Sequence, residues 1–410
     1  MIYFVLLATC LEIIHGFQIF QFRSKHLSTR SFSDRVSIGN LNVSSVGVGT
    51  IAWSKYIGKN EQNAIEDIIE HSVENGCDFF DTAERYGSGL QESLGGGWGS
   101  GEKIFKKFQE NNIKVATKFT PVPWRLDSDS VVNACEASRQ RLGIGSIDLY
   151  QIHFPDIVQP FQGFFKIKNK KDEKYWDGLI ECYKRGIVKN VGVSNYGPTL
   201  LLRAHEYLSR KSVPLASNQI NYSLLYRKNG AQATLDLGTC MGIRTISYYP
   251  LAMGLLTGKH NSDFCLKSQI LNKETSKTNL ELSDLRAIKY QNIYPLLKKL
   301  DEIAGERNKT VSQVALNFIV CKGAIPIPGA RNVRQLSENL GARTWRLTAK
   351  EIYELEGIAD YMDISFEGIT CYTFRKVTII SILLFVIPLK ELDSNDQAQN
   401  LLVMDSRNGL

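Results

Sequence analysis

Short apolar runs alternate with amphipathic stretches along most of this chain. Ser45-Val46-Gly47-Val48-Gly49-Thr50 reads as a short strand with glycines at its end. Residues 61–74 then place Ala64, Ile65, Ile68, Ile69 and Val73 at helical spacing. Cys77-Asp78-Phe79-Phe80 is a buried strand closed by Asp81, and 102–108 returns to a helix. Strands at 115–119, 147–153, 188–193, 216–219, 245–248 and 324–327 follow, with helices predicted over 130–142, 175–184, 200–208, 231–238, 293–306, 311–321, 333–340 and 350–359. Thr310 or Ser312 caps the helix that begins at 311. About eight strand–helix alternations without a run of adjacent strands predict a single-domain (β/α)8 TIM barrel. A doubly wound sheet fits less well, because no Gly-x-Gly-x-x-Gly follows the first strand. The glycine run 95–101 lacks a Gly-Lys-Ser ending and a strand leading into it, so it reads as a flexible loop and not a phosphate cradle. Residues 155–174 and the polar stretch 260–289 read as two excursions over the barrel.

The two ends break the pattern. Residues 1–16 are apolar and about as long as a signal-peptide core, although no Lys or Arg precedes it and Glu12 interrupts it. Residues 17–35 carry Arg23, Lys25, Arg30, Arg35 and several serines, with Asp34 as their acid, which is transit-peptide composition. Together they read as a two-part leader addressed to an organelle reached through the secretory route, of plastid type. A signal peptide followed by a plain basic segment would serve the secretory lumen instead. The leader is expected to be cleaved, leaving a barrel over 36–362 and a C-terminal extension over 363–410. Residues 377–389 are almost wholly apolar but shorter than the roughly 20 residues of a membrane helix, so no clear span is read there.

Composition narrows the function classes. Part of the net charge of +7 lies in the leader, and no dense basic run interleaves with aromatics, so nucleic acid is not an expected partner. The eight cysteines are scattered, without Cys-x-x-Cys or metal-ligand spacing, and read as reduced buried thiols with no metal. The sequence sets no oligomeric state.

Polar groups close three apolar strands: Asp81 with Tyr86 five positions on, Lys118, and His153. In a parallel α/β barrel that end of the strands is where the chemistry is done. A lysine beside a phenol is expected to favour phenolate and lower its pKa, an aspartate to hold the lysine, and a histidine to orient a carbonyl oxygen. Such a set would protonate an oxygen while hydride reaches carbon. A Schiff-base use of Lys118 fits less well, since a lysine paired with aspartate stays protonated and poorly nucleophilic.

Taken in order, Gly47-Val48-Gly49-Thr50, Phe80-Asp81-Thr82-Ala83-Glu84-Arg85-Tyr86-Gly87, Ala116-Thr117-Lys118, Asp148-Leu149-Tyr150-Gln151-Ile152-His153, Gly192-Val193-Ser194-Asn195-Tyr196, Ser217-Asn218-Gln219, Tyr249-Pro250-Leu251 and Pro328-Gly329-Ala330-Arg331 resemble the aldo-keto reductase family over roughly 36–360. The resemblance implies NADPH bound at the barrel mouth and a small aldehyde or ketone as substrate. It implies Tyr86 as proton donor, Lys118 and Asp81 as its tuners, and His153 as the group that orients the carbonyl. It further implies Thr50 beside the cofactor; Ser194, Asn195 and Gln219 on the nicotinamide carboxamide; Tyr248 stacked on its ring; and Leu251 and Gly254 at the pyrophosphate. Gly329, Arg331, Gln335, Glu338 and Asn339 match the adenosine end. Some family members carry lysine and arginine where this chain has Gly329 and Gln335, which leaves NADH possible as well. The cofactor-binding β-subunits of potassium channels are the alternative, but they have asparagine where this chain has His153.

Overall fold

The computed structural model describes residues 33–55, 59–86, 100–122, 124–155, 171–228, 230–259 and 282–362. The predicted leader up to residue 32, most of the glycine run, the core of both excursions and the extension from 363 lie outside the described residues. The chain opens with a hairpin, β1 (Arg35–Ile38) and β2 (Leu41–Ser44), paired antiparallel. The sequence signal for it was a two-residue Gly39-Asn40 turn between alternating apolar positions, which the strand–helix reading passed over. Gly39 sits at φ 56, a conformation that favours glycine.

The alternation then runs as predicted. It begins with β3 (Val48–Gly49), α1 (Lys59–Glu74), β4 (Phe79–Asp81), α2 (Ser100–Lys103), β5 (Lys114–Phe119), α3 (Ser128–Leu142), β6 (Leu149–Ile152) and α4 (Lys171–Lys184). The second half comprises β7 (Val191–Ser194), α5 (Pro198–Ser209), β8 (Leu215–Asn221), α6 (Ala231–Cys240), β9 (Arg244–Tyr248), α7 (Leu282–Arg307), α8 (Val311–Cys321), β10 (Ile325–Pro326), α9 (Val333–Leu340) and α10 (Ala349–Tyr361). Strands β3 to β10 form one parallel sheet of eight among the described residues, each beside its neighbour in sequence. The sheet closes where Gly47 and Gly49 donate to the carbonyls of Pro326 and Pro328, and a parallel bridge joins Gly49 to Gly329. A (β/α)8 barrel is the result.

Three boundaries differ from the sequence reading. The stretch after Lys103 is a 3-10 helix over Ile104–Asn111, with Phe108 off helical geometry. The polar excursion becomes helical at Leu282; Leu282, Leu285 and Ile288 recur three apart, a period masked by the polar residues between them. The short strand end at 216–219 is a seven-residue strand, because Ser217, Gln219 and Asn221 alternate with apolar or outward positions along β8.

Burial follows the pattern that produced the elements. Ile65, Ile68 and Ile69 of α1 pack with Phe80, Val115, Val131 and Leu179 between the sheet and its helices. Inside the barrel, Phe79, Ala116, Leu149, Ile246 and Ile325 meet Ile38, Leu41 and Val43 of the hairpin, so the hairpin plugs the N-terminal end. Asn190, just before β7, exchanges hydrogen bonds with Asn40 at the hairpin tip: Nδ2 donates to Asn40 Oδ1 at 2.7 Å, and Oδ1 accepts from Asn40 N at 3.1 Å. One end is thus sealed by apolar packing, and the C-terminal ends of the strands are left to carry polar groups.

Candidate active site

Asp81 ends β4, Lys118 is the penultimate residue of β5, and His153 directly follows β6. Three neighbouring parallel strands therefore deliver three ionisable groups to one rim. Lys118 is fully buried, and its Nζ donates to Asp81 Oδ2 at 2.6 Å and to the Thr82 carbonyl at 2.8 Å. Gln219 Nε2, from β8 across the lumen, donates to the other Asp81 oxygen at 2.7 Å. A buried carboxylate with both oxygens partnered escapes most of its desolvation cost.

Tyr86 is half-buried over this pair. Lys118 Nζ lies 5.1 Å from its ring centroid, and the His153 ring stands edge-on to it at 6.1 Å between centroids. Asp81, Tyr86, Lys118 and His153 are thus brought together at one rim. The direction of the tyrosine shift is not as expected. Burial pushes the Tyr86 phenol well above its ordinary value, and the Asp81 charge and Tyr249 push the same way. Lys118 does not reverse this: two of its three ammonium N–H bonds go to Asp81 and the Thr82 carbonyl, and the Asp81 charge offsets its own. Burial also draws Lys118 down, against the pull of Asp81, and holds His153 well below its usual range, helped by Lys118 and Arg85. The imidazole is neutral at physiological pH, with a buried, unpartnered Nδ1.

On the other side of the mouth, Ser194 and Asn195 follow from β7, with Gln219 on β8 and Tyr248 at the end of β9. Ser194 Oγ donates to the Gln219 carbonyl at 2.9 Å. Asn195 Nδ2 donates to the His153 carbonyl at 3.0 Å, and its Oδ1 accepts from Tyr248 Oη at 2.7 Å. That bond orients the half-buried Tyr248 ring. Left-handed backbone concentrates here. Asn195 has φ 64, and Tyr249, Ala252, Met253 and Gly254 follow at 50, 47, 55 and 97. Such conformations cost of order 1–3 kcal/mol each for non-glycine residues and persist where the surroundings impose them.

These residues fit a nicotinamide dinucleotide on structural grounds. Thr50 Oγ1 and His153 Nδ1 are buried at the mouth without a partner, and a Cβ on Gly254 would stand in open space. The adenosine-end set lies together on β10's following loop and α9. Arg331 is exposed, and its N–H donates to Gln335 Oε1 at 2.9 Å. The Gln335 side chain is therefore spent inside the loop. Asn339 Nδ2 donates to the Gly329 carbonyl at 3.4 Å, and Glu338 is half-buried one turn on.

Sequence reasoning missed several supports. Glu84, fully buried in the Tyr86 loop, accepts from Thr120 N at 2.6 Å and Arg125 Nη1 at 2.5 Å, tying that loop to the one after Lys118. Glu102 accepts from Thr117 Oγ1 at 2.6 Å and Arg141 Nε at 2.5 Å behind the same strand. Asn332 caps α9, and Arg334 adds a second exposed cation near Arg331. No local signal set Glu84 apart, since it stands between Thr82 and Arg85 in a loop that already reads as polar.

The family model "Aldo/keto reductase family" matches residues 45–360. The chain belongs to the aldo/keto reductase family. It is accordingly an NADP-dependent oxidoreductase. It is 38% identical over 336 residues, 78% of this chain and 85% of the relative, to the chloroplastic pyridoxal reductase of Arabidopsis thaliana. It is 28% identical to an NADP(+) aldo-keto reductase of Schizosaccharomyces pombe, over 80% of this chain and 92% of that one. Among solved structures, the glycerol dehydrogenase of Gluconobacter oxydans shares the fold with a TM-score of 0.64 at 23% identity, covering 84% of this chain and 99% of that chain. No helix among the described residues is long and apolar enough to cross a membrane.

Proposed function

We propose that this aldo/keto reductase reduces a small aldehyde to the alcohol with NADPH, and that a planar, pyridoxal-type aldehyde is its preferred class. The observation that carries the reading is Lys118 Nζ held between Asp81 and Thr82 beneath the Tyr86 ring, with neutral His153 beside it. Ser194, Asn195, Gln219 and Tyr248 would hold the nicotinamide end of the cofactor. Thr50, Leu251 and Gly254 would lie along its middle, and Gly329, Arg331, Gln335, Glu338 and Asn339 at the adenosine. When bound, the cofactor supplies the hydride.

The chain's own residues do the rest. His153, uncharged, donates or accepts one hydrogen bond and orients the carbonyl oxygen without competing for the proton. Tyr86, kept protonated by its buried setting, delivers a proton to that oxygen. Lys118 gives the phenolate left behind a nearby positive charge, and Asp81 fixes the lysine. Apolar packing below the site excludes water from the far end of the barrel. Planarity of the substrate is supported by the flat Phe154 ring, which stacks on His153 with 4.3 Å between ring centroids. The relative named a pyridoxal reductase puts pyridoxal first in the panel to be tested.

Tyr86→Phe should lose carbonyl reduction by orders of magnitude, with NADPH affinity nearly kept. The test follows NADPH oxidation with pyridoxal and a panel of sugar- and lipid-derived aldehydes. Parent-level turnover in the variant would remove Tyr86 from the mechanism. We also propose a cleaved organellar leader preceding the barrel over 36–362. Arg35, at the junction, pairs with Asp78 at 2.7 Å, and the Asp34 carbonyl accepts from Ser45 N. Cleavage should therefore fall before Asp34. N-terminal sequencing of protein from its native source would find Met1 intact if no leader is removed.

A further inference from the structure

Asn221 is the last residue of β8 and 1% exposed. Alternation along the strand puts it on the face shared with Gln219, whose side chain crosses the lumen to Asp81. Its register partner on β9 is Tyr248. Asn221 thus stands at the mouth, one layer above Gln219 and beside the tyrosine that faces the nicotinamide position. Neither Nδ2 nor Oδ1 has a hydrogen-bond partner, and among the described residues it is the one buried carboxamide in that condition.

A buried amide with both its donor and its acceptor unmet is costly, and native proteins satisfy such groups. The neighbouring polar side chains are paired elsewhere. Ser194 donates to the Gln219 carbonyl, Gln219 Nε2 to Asp81, and Tyr248 Oη to Asn195. Each has a partner within the protein, whereas Asn221 has none.

We infer that Asn221 is a further contact to the cofactor, pairing with the carboxamide of the nicotinamide. A primary amide offers one donor edge and one acceptor edge, which is the complement Asn221 lacks. The inference rests on the cofactor placement proposed above and adds to it a residue that the family resemblance did not supply. It also gives the unmet amide a reason to persist, since filling the position with a hydrocarbon would stabilise the free protein and weaken its complex.

Binding of three probes, measured by fluorescence or calorimetry on the full chain, tests this. They are NADPH, 2′-phospho-ADP-ribose, which lacks the nicotinamide, and 2′,5′-ADP, which carries the adenosine end alone. Asn221→Leu should weaken NADPH by about ten- to a hundredfold, the size of two hydrogen bonds to a buried amide. Both nicotinamide-free probes should bind as they do to the parent. The Tm of the free variant should be no lower than the parent's, because leucine has the same number and branching of side-chain heavy atoms and leaves no polar atom unpartnered. Asn221→Ala serves as a second variant if leucine does not fold, with the same order of probe effects. Unchanged NADPH affinity overturns the proposal. So does equal weakening of all three probes together with a lowered Tm, which would make Asn221 a structural residue. Loss confined to NADPH and 2′-phospho-ADP-ribose would move the contact to the ribose and overturn the carboxamide pairing. A parent that binds no NADPH would overturn this proposal and the cofactor reading together, an outcome distinct from failure of the variant alone.

Discussion

At the scale of single residues, the adenosine end turns on which of its side chains carries a charge. Gln335 is spent on the Arg331 backbone N–H and Gly329 has no side chain, so Arg331 is the cation among the five positions matched to the adenosine segment. If its guanidinium pairs with a 2′-phosphate, a hydrogen bond to a charged group contributes about 1.5–3 kcal/mol. That corresponds to a preference for NADPH over NADH of about ten- to a hundredfold. Arg331→Ala should abolish most of the preference and leave NADH binding little changed. Dissociation constants for both cofactors at one ionic strength decide it; equal weakening of the two would mean that Arg331 holds the loop. Arg334, also exposed, is the residue that would keep part of the preference in the variant. The rim that carries Asp81, Tyr86 and Lys118 makes a related point about residue type. A phenol near a lysine is not thereby acidified: burial and the charge of the aspartate that holds the lysine push the other way.

At the scale of elements, the helices begin where short polar side chains cap them. Thr310 and Gln313 form a capping box on α8, and Thr348 and Glu351 form another on α10. Only the first was singled out from sequence, although Thr348-x-x-Glu351 carries the same spacing. Glu351 does more than cap. Arg307, the last residue of α7, grips it with Nε and Nη2 at 2.8 and 2.7 Å. Burial alone would raise the carboxyl, but the hydrogen bonds from Arg307 and Thr348 outweigh it and hold the group below its ordinary value of 4.5. A carboxyl lowered in the folded state stabilises the fold above its unfolded value and loses that contribution as pH falls through the folded one. Glu351→Gln should therefore cost about 1.5–3 kcal/mol at pH 7, with the gap from the parent shrinking below about pH 4. Urea unfolding at the two pH values measures this; a gap that does not change with pH would assign the loss to packing and not to the charge. Glu84 has the opposite balance. Burial raises its carboxyl against the pull of Arg125, so it holds the Tyr86 loop in place at some cost in stability as pH rises.

At the scale of the molecule, barrel closure depends on a seam whose β3 side is held by two glycines, Gly47 and Gly49. A Cβ on Gly49 would come 2.6 Å from the Ile327 carbonyl oxygen, a backbone atom that cannot turn away. The seam borders Thr50 and Asp81, since Thr50 N donates to the Asp81 carbonyl at 3.0 Å. Gly49→Ala should destabilise the protein by about 1–3 kcal/mol, the usual size of an overpacking penalty. It should also reduce turnover of the fraction that folds, because β3 must shift beside Asp81, which ends β4. Thermal melts and kcat measured well below the transition check both; an unchanged melting temperature would show that the seam is looser than its geometry indicates.

The sequence by itself determined the order and kind of the elements, because the period of apolar positions follows from which face each element buries. It also determined which residues stand at the strand ends, and with them the family. It could not settle how those ends converge. Asp81 and Gln219 are 138 positions apart and meet only because the sheet curls until β4 and β8 share a lumen. Nor could it give the Tyr86 shift, which depends on the burial of the phenol and on the charge of Asp81. The hairpin plug lay in the sequence as a Gly-Asn turn, but its place at the barrel floor came from packing against Phe79, Ala116 and Leu149. Periodicity is a local property and is written along the chain, whereas the partners of a buried charge are chosen by closure, which only the tertiary structure brings about.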